Sequence, residues 1–153
     1  MSYPLASETQ TQLLAKALAK ASNGQGIIYL SGGLGAGKTN FSRGVIQSLG
    51  HKGVVKSPTF TLVEPYFIDN ITIYHMDLYR FNDPEEFNYL GFDDFQSGLF
   101  LIEWPEKGQP WLPDADLLII LELKSGQHAL SWQAKTKHGK LMADALTQAY
   151  HAL

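Results

Sequence analysis

A glycine-dense stretch set between an apolar run and an amphipathic one constrains this chain more than any other feature. Ile27-Ile28-Tyr29-Leu30 leads into Ser31-Gly32-Gly33-Leu34-Gly35-Ala36-Gly37-Lys38-Thr39, and Phe41, Val45, Ile46 and Leu49 then recur at helical spacing. Gly32-x-x-x-x-Gly37-Lys38-Thr39 matches G-x-x-x-x-G-K-[ST], with a strand (27–31) before it and a helix (38–49, closed by Gly50) after it. Glycines let successive backbone N–H groups curl round an anion with no Cβ in the way. The helix that follows offers unpaired N–H groups and the positive end of its dipole. Lys38 brings a mobile positive charge to β- and γ-phosphates, and the Thr39 hydroxyl suits one position on Mg²⁺. The stretch predicts nucleotide binding.

Around it the chain reads as one α/β domain. Residues 8–21 place Leu13, Leu14, Ala17 and Leu18 on a helical stripe, with Ser7 as N-cap and Asn23-Gly24 as the stop. Pro58 turns Ser57 away from the helical region, and strands at 60–67 and 71–77 form a hairpin about Asp69-Asn70. Alternation puts Ile71, Ile73, His75 and Asp77 on one face of the second strand. Asn82 to Glu86 opens a short helix to about Leu90, and Leu99 to Glu103 is a buried parallel strand. A loop at 105–113, strands at 116–124 and 129–135 joined at Ser125-Gly126-Gln127, and a helix at about 140–151 complete the reading.

The bulk properties narrow the classes. At 153 residues the chain fits one domain, able to bury roughly 70% of its unfolded surface. It has no cysteine, which excludes disulfides and cysteine-based zinc sites. No apolar run reaches membrane-spanning length and the first ten residues lack a signal pattern, so the cytoplasm is the expected location. The net charge is −3, and the only basic run is Lys135, Lys137, His138 and Lys140, which reads as a solvated surface. A protein that grips nucleic acid alone presents a basic face. Any role in RNA biology is therefore expected to run through a protein partner.

A nucleoside triphosphatase needs Mg²⁺ held opposite the phosphate loop and a group that orients water. Asp77 and Glu103 each end an apolar strand, and ligands in open α/β sheets collect at the carboxyl ends of strands. Ser57 and Thr59 lie on the loop where switch segments meet a γ-phosphate in related topologies. His75 is either a group that orients water or Asp77, or a core histidine. Trp104 and Trp111 read as core or interface anchors. Arginine is limited to Arg43 and Arg80. That scarcity points to slow hydrolysis alone, raised or gated by another protein.

The set GLGAGKTNFSRG (33–44), KSPTFTLVEPY (56–66), IYHMDLYRF (73–81), DPEEFNYLG (83–91) and LIEWPEKG (101–108) resembles the TsaE (YjeE) family over about residues 8–126. These are small bacterial P-loop ATPases of tRNA threonylcarbamoyladenosine (t6A37) formation. The resemblance implies a P-loop NTPase-like three-layer sandwich around a mixed, mostly parallel sheet. It implies ATP phosphates on Gly35, Ala36, Gly37, Lys38, Thr39 and Asn40, and Mg²⁺ at Thr39. Lys38, Asp77 and Glu103 would be catalytic, with both acids in metal or water-positioning roles and Thr59, beside Ser57, sensing the γ-phosphate. Trp104 would lie beside the site, Glu8 and Thr11 near base or ribose, and Gly126 near the nucleotide. The implied partners are a TsaD-type transferase and its TsaB-type paralogue. Gly33 stands where the family usually has Asp, and Asn40 where Thr or Ser is usual.

Three other readings separate cleanly. A P-loop small-molecule kinase would leave phosphate on an acceptor rather than in solution. A GTPase would carry an N-K-x-D guanine-reading motif, which the chain lacks. A nucleotide-dependent assembly factor would bind ATP with turnover incidental.

Overall fold

Strands and helices alternate up to α2, and beyond it strands dominate. The structure, a computed structural model, describes residues 1–83, 86 and 97–153. In order these form β1 (Tyr3–Leu5), α1 (Glu8–Ser22), β2 (Gly26–Ser31), α2 (Lys38–Ser48), β3 (Val63–Ile68), β4 (Ile71–Asp77), β5 (Leu99–Glu103), β6 (Leu117–Lys124), β7 (Gln127–Ala134) and α3 (Lys137–His151). The helix expected at 82–90 lies essentially outside the described residues.

The described strands make one sheet in the order β1-β7-β6-β2-β5-β4-β3. Its centre, β6-β2-β5-β4, is parallel. Both flanks are antiparallel, because β3–β4 and β6–β7 are hairpins and β1 returns against β7. The sheet is thus mixed and parallel around the glycine-rich loop, as expected. Ser125 (φ 51) and Gly126 (φ 79) give the second hairpin the two-residue turn whose twist matches its strands.

Each face of the sheet carries its own core. On one, Ile28, Leu30, Ile73, Leu99, Leu101 and Ile119 pack under Leu14 and Leu18 of α1, Phe41 and Val45 of α2, and Met142 and Leu146 of α3. On the other, Tyr74, Met76, Phe100 and Ile102 are covered by Leu78, Phe81 and Leu112. Among the described residues that outer layer is thin, and its regular part is the 3₁₀ turn Pro105–Lys107 inside the expected loop. No helix among the described residues is long and apolar enough to cross a membrane.

Several boundaries move, for local reasons. β3 starts at Val63, not near residue 60: Leu62 N donates to Pro58 O at 2.8 Å and Leu62 sits at φ 68, so Thr59 to Thr61 are spent in a turn despite their β-branched character. α3 starts at Lys137 rather than about 140, because Thr136 caps it through Gly139 N. Asp116 lies just outside β6: its Oδ2 accepts Ile27 N at 2.8 Å and its Oδ1 the Thr136 hydroxyl at 2.7 Å. β1 is absent from the sequence reading altogether. Tertiary contacts hold it, with the Tyr3 ring stacked on Trp132 at 4.3 Å and the Tyr150 hydroxyl donating to Pro4 O.

Candidate active site

The strand register builds the site. Leu30, the penultimate residue of β2, pairs with Glu103, and Glu103 pairs in turn with Asp77 of β4. Three adjacent parallel strands therefore deliver the glycine-rich loop and two carboxylates to one edge of the sheet. Backbone bonds lock those ends together, Trp104 N to Leu30 O and Leu78 N to Glu103 O. Lys38, Asp77 and Glu103 are all buried.

Glycine is required at two points of the loop. A Cβ on Gly32 would lie 2.3 Å from the Leu121 carbonyl, so this backbone passes β6 at a distance no side chain permits. Gly37, at φ 101, is the residue that turns the chain into α2, and no side chain caps that helix. The first N–H groups of α2 are left free of intrahelical partners at its positive end, the arrangement that holds an anion.

Around that end the side chains converge. Lys38 Nζ donates to Gly32 O at 2.6 Å and Gly33 O at 2.8 Å, and lies 4.2 Å from the centre of the Trp104 ring. Burial holds the Lys38 ammonium below its ordinary range, opposed by the negative charges of Glu103, Asp77 and Glu106. Thr39 Oγ1 donates across to Glu103, 3.0 Å from Oε1 and 3.2 Å from Oε2. Asp77 accepts Thr59 Oγ1 at 3.0 Å on Oδ2 and Tyr79 N at 2.9 Å on Oδ1. Ser57 Oγ bonds Thr59 Oγ1 at 2.7 Å, and Asp77 N donates to Leu62 O. The Ser57–Thr59 turn is thereby fastened to the end of β4.

Two cavities meet at this point. One of about 360 Å³ is lined by Gly35, Lys38, Thr39, Thr59, Asp77 and Glu103, with Tyr79 and Trp104 at its side. The other, about 620 Å³, is lined by Glu8, Thr11, Ala36, Gly126, Gln127 and His128. Gly37 and Asn40 border both. Glu8, Thr11 and Gly126 thus lie together beside the loop. Gln127 and His128 escaped the sequence reading. β7 reaches this wall only because it pairs with β6 beside the loop, and no local motif marks that.

Other candidates fall elsewhere. His75 bonds Glu103 rather than Asp77, since its ring reaches across to β5. Arg43 donates to Asn40 Oδ1 at 3.2 Å and Arg80 lies over the exposed Phe60 ring at 4.4 Å; among the described residues neither pairs with Asp77 or Glu103. Trp111 is about half exposed and lines neither cavity. The basic run is partly engaged within the fold: Lys140 pairs with Asp144, Lys135 reaches Gln133 and His138 meets Gln25 O. A Cβ on Gly33 would meet nothing within 4 Å.

Comparison with known proteins points one way. A family model described as threonylcarbamoyl adenosine biosynthesis protein TsaE matches residues 5–131. The tRNA threonylcarbamoyladenosine biosynthesis protein TsaE of Haemophilus influenzae is 46% identical over 123 residues, 79% of this chain and 78% of that protein. The protein of the same name from Bacillus subtilis is 36% identical over 115 residues, covering 74% and 72%. That from Rickettsia conorii is 47% identical over 106 residues, 68% of this chain and 61% of its own length. In shape, a crystal structure of Bacillus subtilis YdiB superposes with a TM-score of 0.76 at 24% identity, over 100% of this chain and 96% of that one, a likeness of fold.

Proposed function

The chain belongs to the TsaE family, whose name is that of tRNA threonylcarbamoyladenosine biosynthesis, and from that premise we propose that it is the ATP-binding and ATP-hydrolysing subunit of the t6A37 system. The observation that carries the reading is the Thr39 hydroxyl aimed at the Glu103 carboxylate at the mouth of a phosphate-binding loop, with Asp77 on the next strand. Polyphosphate sits on the N–H groups of Gly35 to Asn40 and the Lys38 ammonium, which exchanges the Gly32 and Gly33 carbonyls for phosphate oxygens. The nucleoside enters the larger cavity, past Gly37 and Asn40, toward Thr11 and Glu8.

The donor set fits Mg²⁺. Among the described residues no cluster of three His, Cys, Asp or Glu exists to cage a metal. What converges is a hydroxyl and two carboxylates, all oxygen, and Mg²⁺ takes one or two carboxylates together with substrate phosphates. Thr39, Glu103 and Asp77 would hold it. When bound, it neutralises charge building on the β- and γ-phosphate oxygens. Glu103 accepts the Thr39 hydrogen bond, which would leave the hydroxyl lone pairs available to the metal. Asp77, fixed by Thr59 and Tyr79 N, orients the attacking water, and the Ser57–Thr59 turn registers whether a γ-phosphate is present.

Arg43 is held by the Asn40 side chain and Arg80 lies over the Phe60 ring, and among the described residues neither pairs with Asp77 or Glu103. An arginine supplied by a partner is worth 10³–10⁵ in phosphoryl transfer. Hydrolysis by the isolated chain is accordingly slow, and the partner is a TsaD-type transferase with its TsaB-type paralogue, tRNA being met only through them. The test is capture of that heterodimer by the protein with ATP, ADP or no nucleotide, alongside phosphate release with and without Mg²⁺. ATP-dependent capture and metal-dependent release into solution support the reading. Phosphate appearing on a small acceptor instead would move the chain to the kinases.

A further inference from the structure

His75 has no part in the reading so far, and its surroundings are odd for a core residue. The ring is fully buried, Nε2 bonds Glu103 Oε2, and Nδ1 has no hydrogen-bond partner among the described residues. A buried polar atom left unpaired is unfavourable, and an aliphatic side chain would fill the space without one. What the imidazole adds is its contact with Glu103.

That contact supplies something Thr39 cannot. The last torsion of a glutamate side chain is broad, with no sharp staggered minimum. Thr39 Oγ1 lies about equally far from the two carboxylate oxygens, 3.0 and 3.2 Å away, and so does not distinguish one from the other. A second donor on Oε2 alone makes the oxygens inequivalent and fixes the plane. We infer that His75 is the positioning residue of Glu103, holding its carboxylate plane so that Oε1 and the Thr39 hydroxyl keep their orientation toward the metal. The inference rests on the nucleotide reading above. An ionised carboxylate only accepts, so the bond requires Nε2 to carry a hydrogen. Removing partners that orient metal-binding carboxylates lowers metal affinity by roughly 10–100-fold.

Two measurements test this. In wild-type protein without nucleotide, ¹H–¹⁵N spectra of the His75 ring should show a hydrogen on Nε2; a bare Nε2 overturns the inference. Mg²⁺ is then titrated against protein holding a non-hydrolysable ATP analogue, followed by calorimetry. His75→Leu should raise the half-saturating metal concentration about tenfold or more while leaving analogue affinity in EDTA unchanged. His75→Gln, whose amide reaches the place of Nε2, should stay within about threefold of wild type. Should His75→Leu not fold, His75→Asn, whose amide reaches only the place of Nδ1, takes its part. A folded variant lacking the Nε2 donor that titrates like wild type overturns the inference alone, as does a Gln variant as poor as Leu. A wild-type protein that binds no analogue overturns the nucleotide reading and this inference with it.

Discussion

Lys38→Met separates the two halves of the site. Methionine keeps an unbranched stem against the Trp104 ring and removes only the ammonium. In the structure that ammonium makes two hydrogen bonds, at 2.6 and 2.8 Å, to carbonyls of its own loop. On the proposed reading it would trade them for the charged oxygens of ATP, so the net change would be about one charge-assisted bond, about 1.5–3 kcal/mol. At about 1.4 kcal/mol per decade the dissociation constant for ATP rises roughly 10- to 150-fold. Adenosine should behave differently. Lys38 lines the smaller cavity and not the larger one, so adenosine affinity should move less than about twofold. Isothermal titration with ATP, ADP and adenosine on both proteins gives the comparison, with calorimetric unfolding to show that the variant is intact. Equal losses for ATP and adenosine would mean that the substitution acts through the fold. An ATP affinity unchanged within twofold would mean that the loop does not hold the polyphosphate. Either result refutes the placement.

The remaining predictions use the same elements. Glu103→Gln and Asp77→Asn should keep ATP within a few-fold of wild type yet lower metal-dependent phosphate release about 10- to 100-fold or more, read in single-turnover assays. Gly32→Ala drives a Cβ to 2.3 Å from the Leu121 carbonyl and should lower the unfolding temperature by several degrees, whereas Gly33→Asp, pointing into open space, should leave stability within about 0.5 kcal/mol. Burial lowers the folded-state pKa of Lys38 below its unfolded value of 10.5, so over the window between the two the unfolded chain binds more protons and stability rises with pH. Tyr29 and Tyr66, raised by burial, oppose this above about pH 10. They are shared by Lys38→Met, so the unfolding temperature of wild type relative to that variant should climb as pH approaches 10.5, and a flat difference would contradict the burial argument.

What the sequence disclosed and what it withheld divide along the range of the forces involved. β2, the loop and α2 are written locally: an apolar run, glycines at the positions where the backbone needs them, then a helical stripe through Phe41 and Val45. The acids at the ends of β4 and β5 were legible for the same reason, since a run of apolar residues closed by a carboxylate describes a strand and its carboxyl end at once. Their closeness to each other was not. It follows from β4 and β5 being neighbours in register, Asp77 opposite Glu103, which no local pattern states. His75 shows the difference within a single residue. Alternation along β4 correctly gave it the face of Asp77, but the atom it bonds belongs to β5, and only the pairing of the two strands decides that Glu103 and not Asp77 receives it. β1 is the extreme case. Tyr3 favours a strand, but three residues centred on a proline carry no readable strand pattern, and they become one because Trp132 and Tyr150 wait on β7 and α3. Their place matters to the site, since Leu5 and the turn after it wall the larger cavity with Glu8 and Thr11. On the proposed reading the phosphate half of the site would thus be a local property of the chain, and the nucleoside half a tertiary one. Substitutions that loosen β1, such as Tyr3→Ala, should therefore weaken adenosine more than inorganic polyphosphate, and an equal loss of both in calorimetric titration would show that the two halves are not built separately.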